Sequence, residues 1–345
     1  MKGYSFFDLM TLLGLHVIMK LSKKHRKKGD HMKYVFGVDV GGTSVKIGFL
    51  NQNGSLLESW SIPTDLRNHG GNILSDVAES IHKFVELKSL KDEDILGFGF
   101  GLPGPVVENV AIKCVNLGWE NVQVSDEFVR AYGKPVLVKA GNDATVAAAG
   151  EYWQKHIDGD IVFITLGTGV GGGIIANGKV IDGAHGAGGE IGHIRAEHHE
   201  PQLCTCGLYG CLETEVAIRG INARARKLIA EKKLKTTLVD DETLSPKRIF
   251  TAAKEGDALA LAVVDKTGEY LGQTCAALAA TTDPKAFLIG GGIANAGQIL
   301  IDAIKKHYVK YAFSALRNMQ FELATLGNDA GMFGAAYLII ANNPA

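Results

Sequence analysis

The chain is poor in cysteine, carries almost no net charge and offers no hydrophobic run long enough to cross a membrane. Five cysteines in 345 residues exclude a disulfide-dense secreted scaffold and favour a reducing cytoplasm. A formal net charge of −1 leaves no general basic field that would recruit nucleic acid. The apolar stretch near the start, residues 5–19, has about 15 residues where a bilayer needs ~20. We therefore expect a globular protein with neither a nucleic-acid partner nor a membrane span.

The first 31 residues do not follow the pattern of the rest of the chain. Their basic run, residues 23–28, follows the apolar stretch, whereas a secretory signal places charge before it. We interpret residues 1–31 as a leader that is disordered or not native to the protein. A peripheral membrane helix is the alternative. The remaining length suits two domains of ordinary size.

A cluster of cysteines and one histidine predicts a metal site. Cys204, Cys206 and Cys211 fall close together, and His193 lies just upstream. Three thiolates and an imidazole form a closed ligand set that is typical of structural zinc. The alternative is a group of buried free cysteines, which behave as small hydrophobic residues. Two carboxylates, Glu190 and Glu213, bracket the cluster and indicate a rigid platform for a polar ligand.

Two strand–turn–strand units share a glycine-rich turn. Predicted strands at residues 34–39 and 45–50 flank the turn Gly41-Gly42-Thr43, and a strand at residues 161–166 precedes Gly167-Thr168-Gly169. Glycines let backbone amides approach a phosphate, and Asp39 at a strand end can reach Mg²⁺, usually through water. Either turn alone is a weak signal. Together they predict a duplicated fold with two phosphate loops facing across a cleft.

A third glycine turn and an Asn-Asp pair also follow predicted strands. Gly291 and Gly292 come after a short strand at residues 286–289, where glycines allow a flat ligand or phosphates to approach the backbone. Asn142 and Asp143 follow a strand at residues 136–139 and precede an alanine-rich helix. On residue type alone, this pair is an ordinary helix cap.

The motif Glu-x-Gly-His at residues 190–193, followed by Cys-x-Cys-Gly-x-x-Gly-Cys-x-Glu at residues 204–213, resembles the ROK family of repressors, uncharacterised reading frames and kinases. The resemblance covers about residues 33–338. It implies an α/β fold of two domains, actin-like or ribonuclease-H-like, around a central cleft. We place a small domain at residues 32–144, joined by a C-terminal helix at residues 331–345, and a large domain with the zinc loop at residues 145–330.

Within the family, the chain looks most like the sugar kinases that act on glucose. This implies ATP-dependent phosphorylation of glucose, with ATP, Mg²⁺ and structural Zn²⁺, in a homodimer or homotetramer. Asp143 would be the catalytic base and Asp39 the magnesium ligand. The commonest form of the motif is Glu-Asn-Asp, but Gly141 precedes the pair here, so only Asn142 and Asp143 are carried over.

The resemblance also implies two sets of contacts. The sugar would be bound by Asn142, Asp143, Glu190, His193, Glu213 and Gly104. ATP and its phosphates would be bound by Asp39, Gly41, Gly42, Thr43, Lys46, Gly167, Thr168, Gly169, Gly291 and Gly292. The alternatives are a kinase for another hexose or for N-acetylmannosamine, and a sugar-responsive repressor, which would carry a DNA-binding domain before the sugar domain.

Overall fold

The computed structural model describes residues 32–343, and they form two five-stranded mixed sheets with a small third sheet. The interpretation of residues 1–31, and the last two residues of the predicted helix 331–345, lie outside the described residues. The strands are β1 (Tyr34–Val40), β2 (Ser44–Asn51), β3 (Leu56–Pro63), β4 (Ile95–Leu102), β5 (Val106–Val107), β6 (Val110–Cys114), β7 (Trp119–Gln123), β8 (Val138–Asn142), β9 (Ile161–Leu166), β10 (Val170–Ala176), β11 (Lys179–Val180), β12 (Ala286–Gly290) and β13 (Gln320–Leu323). The helices are α1 (Ile73–Lys88), α2 (Val124–Tyr132), α3 (Asp143–Lys155), α4 (Leu212–Val216), α5 (Ile218–Glu231), α6 (Pro246–Lys254), α7 (Ala258–Thr282), α8 (Gln298–Tyr311) and α9 (Ala330–Ala341), besides short helical turns.

The two large sheets repeat one topology. The first has the order β3-β2-β1-β4-β8, and the second has the order β11-β10-β9-β12-β13. In each sheet the first three strands of the order pair antiparallel and the last two join in parallel. Both glycine-rich turns therefore stand at the same place in their sheets. The predicted α/β class with a duplicated plan is confirmed.

Helices α3 and α9 lie between the two sheets and contact each other. α9 packs on the first sheet so closely that a Cβ at Gly37 or Gly99 would collide with its backbone carbonyls. α3 packs on the second sheet, where Ala148 and Ala149 join the buried cluster that contains Phe163. Close backbone approach requires glycine here because a side chain would fill the gap. The division into a small and a large domain stays a prediction.

The structure corrects two element boundaries. β8 runs over Val138–Asn142 and so reaches Asn142 itself, instead of ending at residue 139. The sequence of residues 215–231 also predicts one helix, but the extended backbone of Ala217 separates α4 from α5. The break lets the Ile218 N–H donate to the Gly167 carbonyl at 3.0 Å. The break in the helix therefore brings the start of α5 into contact with the second glycine turn.

The small sheet β5-β6-β7 was not predicted from the sequence, because its strands are short. Its first two strands follow Gly104, and Trp119 in β7 is buried and donates its indole N–H to the Gly70 carbonyl. Within residues 32–343, no helix has the length and apolar character that crossing a membrane requires.

Candidate active site

A cavity of about 640 Å³ is lined by residues of both large sheets and their connections. It brings Asp39, Lys46 and Asp143 together with the second glycine turn, Gly167–Gly169, which lies later in the chain. Glu190 and Glu213, which bracket the cysteine cluster, also line it, as does His193. Its lining comprises Asp39, Lys46, Asp143, Ala144, Ala147, Thr165, Gly167, Thr168, Gly169, Val170, Gly171, Glu190, His193, Glu213, Gly327, Asn328, Ala330 and Gly331.

Asp143 begins helix α3 at the wall of this cavity. The N-cap of the helix is its neighbour Asn142, whose side-chain oxygen accepts from the Ala144 N–H at 2.9 Å and the Thr145 N–H at 3.3 Å. Asn142 also donates to the Gly104 carbonyl at 3.2 Å, which links it to the loop after β4. Burial and the nearby Glu190 charge raise the pKa of Asp143 above its usual value, although the Ala144 N–H lowers it. Asp143 Oδ1 also accepts from the Ala144 N–H at 2.8 Å, and the acceptor capacity left on its carboxylate is available to a ligand.

Asp39 stands at the end of β1, paired in register with Lys46 of β2. Burial raises the pKa of Asp39 to about 6, and the charges of Asp143 and Asp329 add to the rise while Lys46 opposes it. Several carboxylates on one cavity wall repel one another, so a divalent cation would be attracted to this place. Asp329 was not among the site residues predicted from the sequence.

Lys46 has a partner that the sequence did not suggest. Its ammonium donates to the Asn328 carbonyl at 2.8 Å and lies 3.8 Å from Asp329 Oδ1. The β1–β2 hairpin is thus tied to the loop that leads into α9. Lys46 still lines the cavity, where its remaining N–H groups can reach a phosphate.

The cysteine–histidine cluster has the geometry of a four-ligand metal site. The donor atoms of His193, Cys204, Cys206 and Cys211 all lie within 4.8 Å of one another. His193 Nδ1 is 3.7 Å from Cys204 Sγ, and the sulfurs of Cys206 and Cys211 are also 3.7 Å apart. Ligands about 2.3 Å from a tetrahedral Zn²⁺ are separated by about 3.8 Å. The donor set therefore fits zinc, and His193 Nε2 faces Glu190 at 3.8 Å on the cavity side.

Glu213 connects the cysteine cluster to the second glycine turn. One carboxylate oxygen accepts from the Val170 N–H at 3.0 Å. The other accepts from the Thr205 hydroxyl at 3.3 Å and lies 3.6 Å from Cys204 Sγ. From the sequence, Glu213 is predicted only to contact the sugar. This backbone link to a turn over 40 residues away in the chain had no signal in the sequence.

Several predicted ligands lie outside the lining of this cavity. Gly41, Gly42 and Thr43 form the turn just beyond Asp39. Asn142 and Gly104 also lie outside the lining, where the Asn142 side chain donates to the Gly104 carbonyl. Gly292 lines a second cavity of about 330 Å³, together with Phe250 and other residues of α6 and of the turn at residues 292–296.

The second cavity adjoins the glycine turn of the first. Gly291 has φ +83° and packs against Leu166, the residue before Gly167. If the phosphates of an elongated ligand lie at Gly167–Gly169, the rest of that ligand can therefore extend into the second cavity. The contribution of α6 was missed, because that helix shows no ligand motif in the sequence.

The model of the ROK family matches residues 35–342. The chain belongs to the ROK family. The match includes every residue named for the candidate site.

This ROK chain is similar in sequence to two curated glucokinases and in structure to a third. A glucokinase of Halalkalibacterium halodurans is 38% identical over 89% of this chain and 95% of its own length. A glucokinase of Thermotoga maritima is 32% identical over 88% of this chain and 96% of its own. The crystal structure of a ROK family glucokinase from Streptomyces griseus, in complex with glucose and AMPPNP, aligns with a TM-score of 0.67 at 30% identity. It covers 88% of this chain and 98% of the other.

Proposed function

We propose that this ROK protein is an ATP-dependent glucokinase, which transfers the terminal phosphoryl group of ATP to the 6-hydroxyl of glucose. The observation that carries the proposal is the shared cavity, where Asp143 faces the Gly167–Gly169 turn on one side and Glu190, His193 and Glu213 on another. The residues that we propose as base, phosphate loop and sugar-binding acids thus line one cavity. The alignment with this chain covers 95% and 96% of the length of the two related glucokinases, which supports the same activity.

In the proposed reaction, Asp143 accepts the proton of the attacking hydroxyl and orients that hydroxyl toward the phosphate. Its raised pKa suits this role, because a base with a pKa nearer to the working pH holds a proton better. Phosphoryl transfer has a loose transition state, so positioning and charge neutralisation matter more than base strength. Domain closure would exclude water, which competes as a nucleophile.

The nucleotide would lie along the two glycine turns and extend toward the second cavity. Backbone amides of Gly41–Thr43 and Gly167–Gly169 would donate to phosphate oxygens. Gly291 and Gly292, with α6, would receive the adenosine part. Mg²⁺ bound near Asp39 would neutralise phosphate charge, and Lys46 would add a second positive charge at the same wall.

Zinc would be held by His193, Cys204, Cys206 and Cys211 as a structural ion. Its expected role is to fix the loop that carries Glu190 and Glu213, so that both carboxylates meet the sugar hydroxyls. The Leu208 N–H lowers the pKa of the Cys206 thiol, whereas burial raises the pKa of Cys211 to about 12, so the ion itself would stabilise the thiolates of the site. None of the five cysteines, all within residues 32–343, forms a disulfide, which supports a cytoplasmic location.

The activity is tested by a coupled assay of ADP release with glucose, mannose, fructose and N-acetylmannosamine, each with ATP and with polyphosphate as donors. We expect glucose with ATP to give the highest kcat/KM. Turnover of none of these sugars would refute the proposal, and a gel shift with genomic DNA would then test the repressor. Light scattering after size exclusion tests the expected homodimer or homotetramer.

A further inference from the structure

Glu151 is a fully buried carboxylate to which the proposed reaction gives no part. It lies in α3, the helix that begins with Asp143, and its exposure is 0%. Both carboxylate oxygens accept from the Thr325 N–H at 2.9 Å, and one also accepts from the Leu326 N–H at 2.6 Å. The Thr325 hydroxyl adds a further hydrogen bond at 3.2 Å. Two successive backbone amides therefore point at one carboxylate.

These amides begin the segment at residues 325–331, which we name the crossover segment. It leads from β13 in the second sheet to α9, which packs on the first sheet. The chain passes between the sheets in the other direction where β8 of the first sheet runs into α3. Glu151 therefore joins the two passages of the chain between the sheets.

The crossover segment also reaches the catalytic cavity. Its Asn328 carbonyl accepts from Lys46, and Gly331 sits so close to Asp39 that an added Cβ would be 2.7 Å from the carboxylate carbon. Four of its residues line the cavity: Gly327, Asn328, Ala330 and Gly331. The position of this segment therefore sets the wall against which Asp39 stands, while α3 sets the position of Asp143.

A buried carboxylate is costly unless donors satisfy it. Removing it from water has a free-energy cost that fixed hydrogen-bond donors must offset. The donors recorded for Glu151 are neutral, and each comes from Thr325 or Leu326. Glutamine could accept through its oxygen, but its NH₂ group would then face a backbone N–H. The arrangement thus specifically favours an acceptor-only side chain at this position.

We propose that Glu151 is a positioning residue, which fixes the crossover segment to α3 and so holds Asp39 and Asp143 in register across the cavity. The inference rests on the proposed kinase function. A displacement of about 1 Å at a reacting group can cost a hundredfold in rate. A residue with this role should therefore affect kcat more than the binding of sugar, whose other ligands lie on the zinc loop.

The test compares Glu151→Gln with Glu322→Gln, assayed with glucose and ATP well below the unfolding temperature. Glu322 is a matched control, since it links β13, the strand just before the crossover segment, to α3 through an ion pair with Lys155 at 3.2 Å. We expect Glu151→Gln to lower kcat by roughly ten- to a hundredfold, with the glucose Kd within about twofold, and to increase hydrogen exchange at the Thr325 and Leu326 amides. We expect Glu322→Gln to match the wild type in all three measurements.

A second variant keeps the test decisive if Glu151→Gln does not fold. Thr325→Val removes only the hydroxyl hydrogen bond to Glu151 and should lower kcat by about two- to fivefold at unchanged glucose Kd. Wild-type kcat in a folded Glu151→Gln with a lowered melting temperature would overturn the proposal, as would wild-type kcat in Thr325→Val. Exchange at the two amides is measured without turnover. Failure of the kinase assignment, shown by an inactive wild type, is therefore distinguishable from failure of this inference.

Discussion

Replacing Gly42 by alanine distinguishes the effect of this residue on protein stability from its effect on nucleotide binding. A Cβ at this position would have Asn116 as its nearest neighbour, with Cβ at 3.8 Å and the carbonyl oxygen at 3.9 Å. Both are ordinary van der Waals contacts, and Gly42 does not have a positive φ that would strain alanine. Removing glycine flexibility from the unfolded chain stabilises a protein by about 0.4–1 kcal/mol where the backbone permits it. Gly42→Ala should therefore leave the unfolding midpoint unchanged or raise it.

The same methyl group should weaken ATP binding if the turn holds phosphates. It would occupy the space that a phosphate oxygen needs to approach the backbone amides, and one charge-assisted hydrogen bond is worth about 1.5–3 kcal/mol. That is a rise of roughly ten- to a hundredfold in the KM for ATP, with glucose binding unchanged. Valine should enlarge the effect.

The assay combines initial velocities over ATP concentration with thermal unfolding. Gly37→Ala in the adjoining strand is the positive control for a steric clash, since its Cβ would collide with the Met332 carbonyl and must lower the unfolding midpoint. ATP kinetics that stay at wild-type values in Gly42→Ala and Gly42→Val would refute a phosphate role for the first turn.

Three further variants or conditions test the other parts of the site. Asp143→Asn keeps the size of the side chain but cannot take up a proton, so kcat should fall by ~10²–10⁴ while calorimetry still detects glucose binding; near-native kcat would leave Asp143 without a catalytic role. Cys206→Ser should lower the zinc content from about one ion per chain, with a lower melting temperature and weaker glucose binding; metal analysis that finds no zinc in the wild type would contradict the site. The activity should fall as the pH drops through about 6, because Asp39 must be ionised to bind Mg²⁺ and its pKa is raised to about 6; more Mg²⁺ favours the ionised form and should move this fall to lower pH, and a profile insensitive to Mg²⁺ would exclude Asp39 as its ligand.

Features that depend on neighbours in the sequence were predictable. The predicted zinc ligands all lie within residues 193–211, and their donor atoms are within 4.8 Å of one another. The two glycine turns were recognised because each follows an apolar strand and contains the residues that a phosphate loop needs. Their equivalent positions in the two sheets confirm the duplicated plan.

Features that depend on distant partners were not predictable. Glu151 looks like an ordinary polar residue of an alanine-rich helix, yet it is buried by contacts with Thr325 and Leu326 far along the chain. Lys46 stands in a phosphate motif, and nothing nearby indicates that its ammonium bonds to Asn328. Such roles arise only when the sheets bring separate segments together. Sequence periodicity, which reports local burial, contains no information on them.

Glu213 shows how such a distant contact changes a prediction. From the sequence, changing Glu213 should mainly raise the glucose KM and, through misplaced sugar, slow turnover. In the structure its carboxylate accepts from the Val170 N–H, beside the Gly167–Gly169 turn, while Glu190 has no such link among the hydrogen bonds of residues 32–343. Glu213→Ala should then raise the KM for glucose and, because the turn loses its anchor, the KM for ATP by about three- to tenfold. Glu190→Ala is the matched control and should affect glucose only. If the ATP KM is the same in both variants, the Glu213–Val170 contact does not position the phosphate turn, and Glu213 acts on the sugar alone.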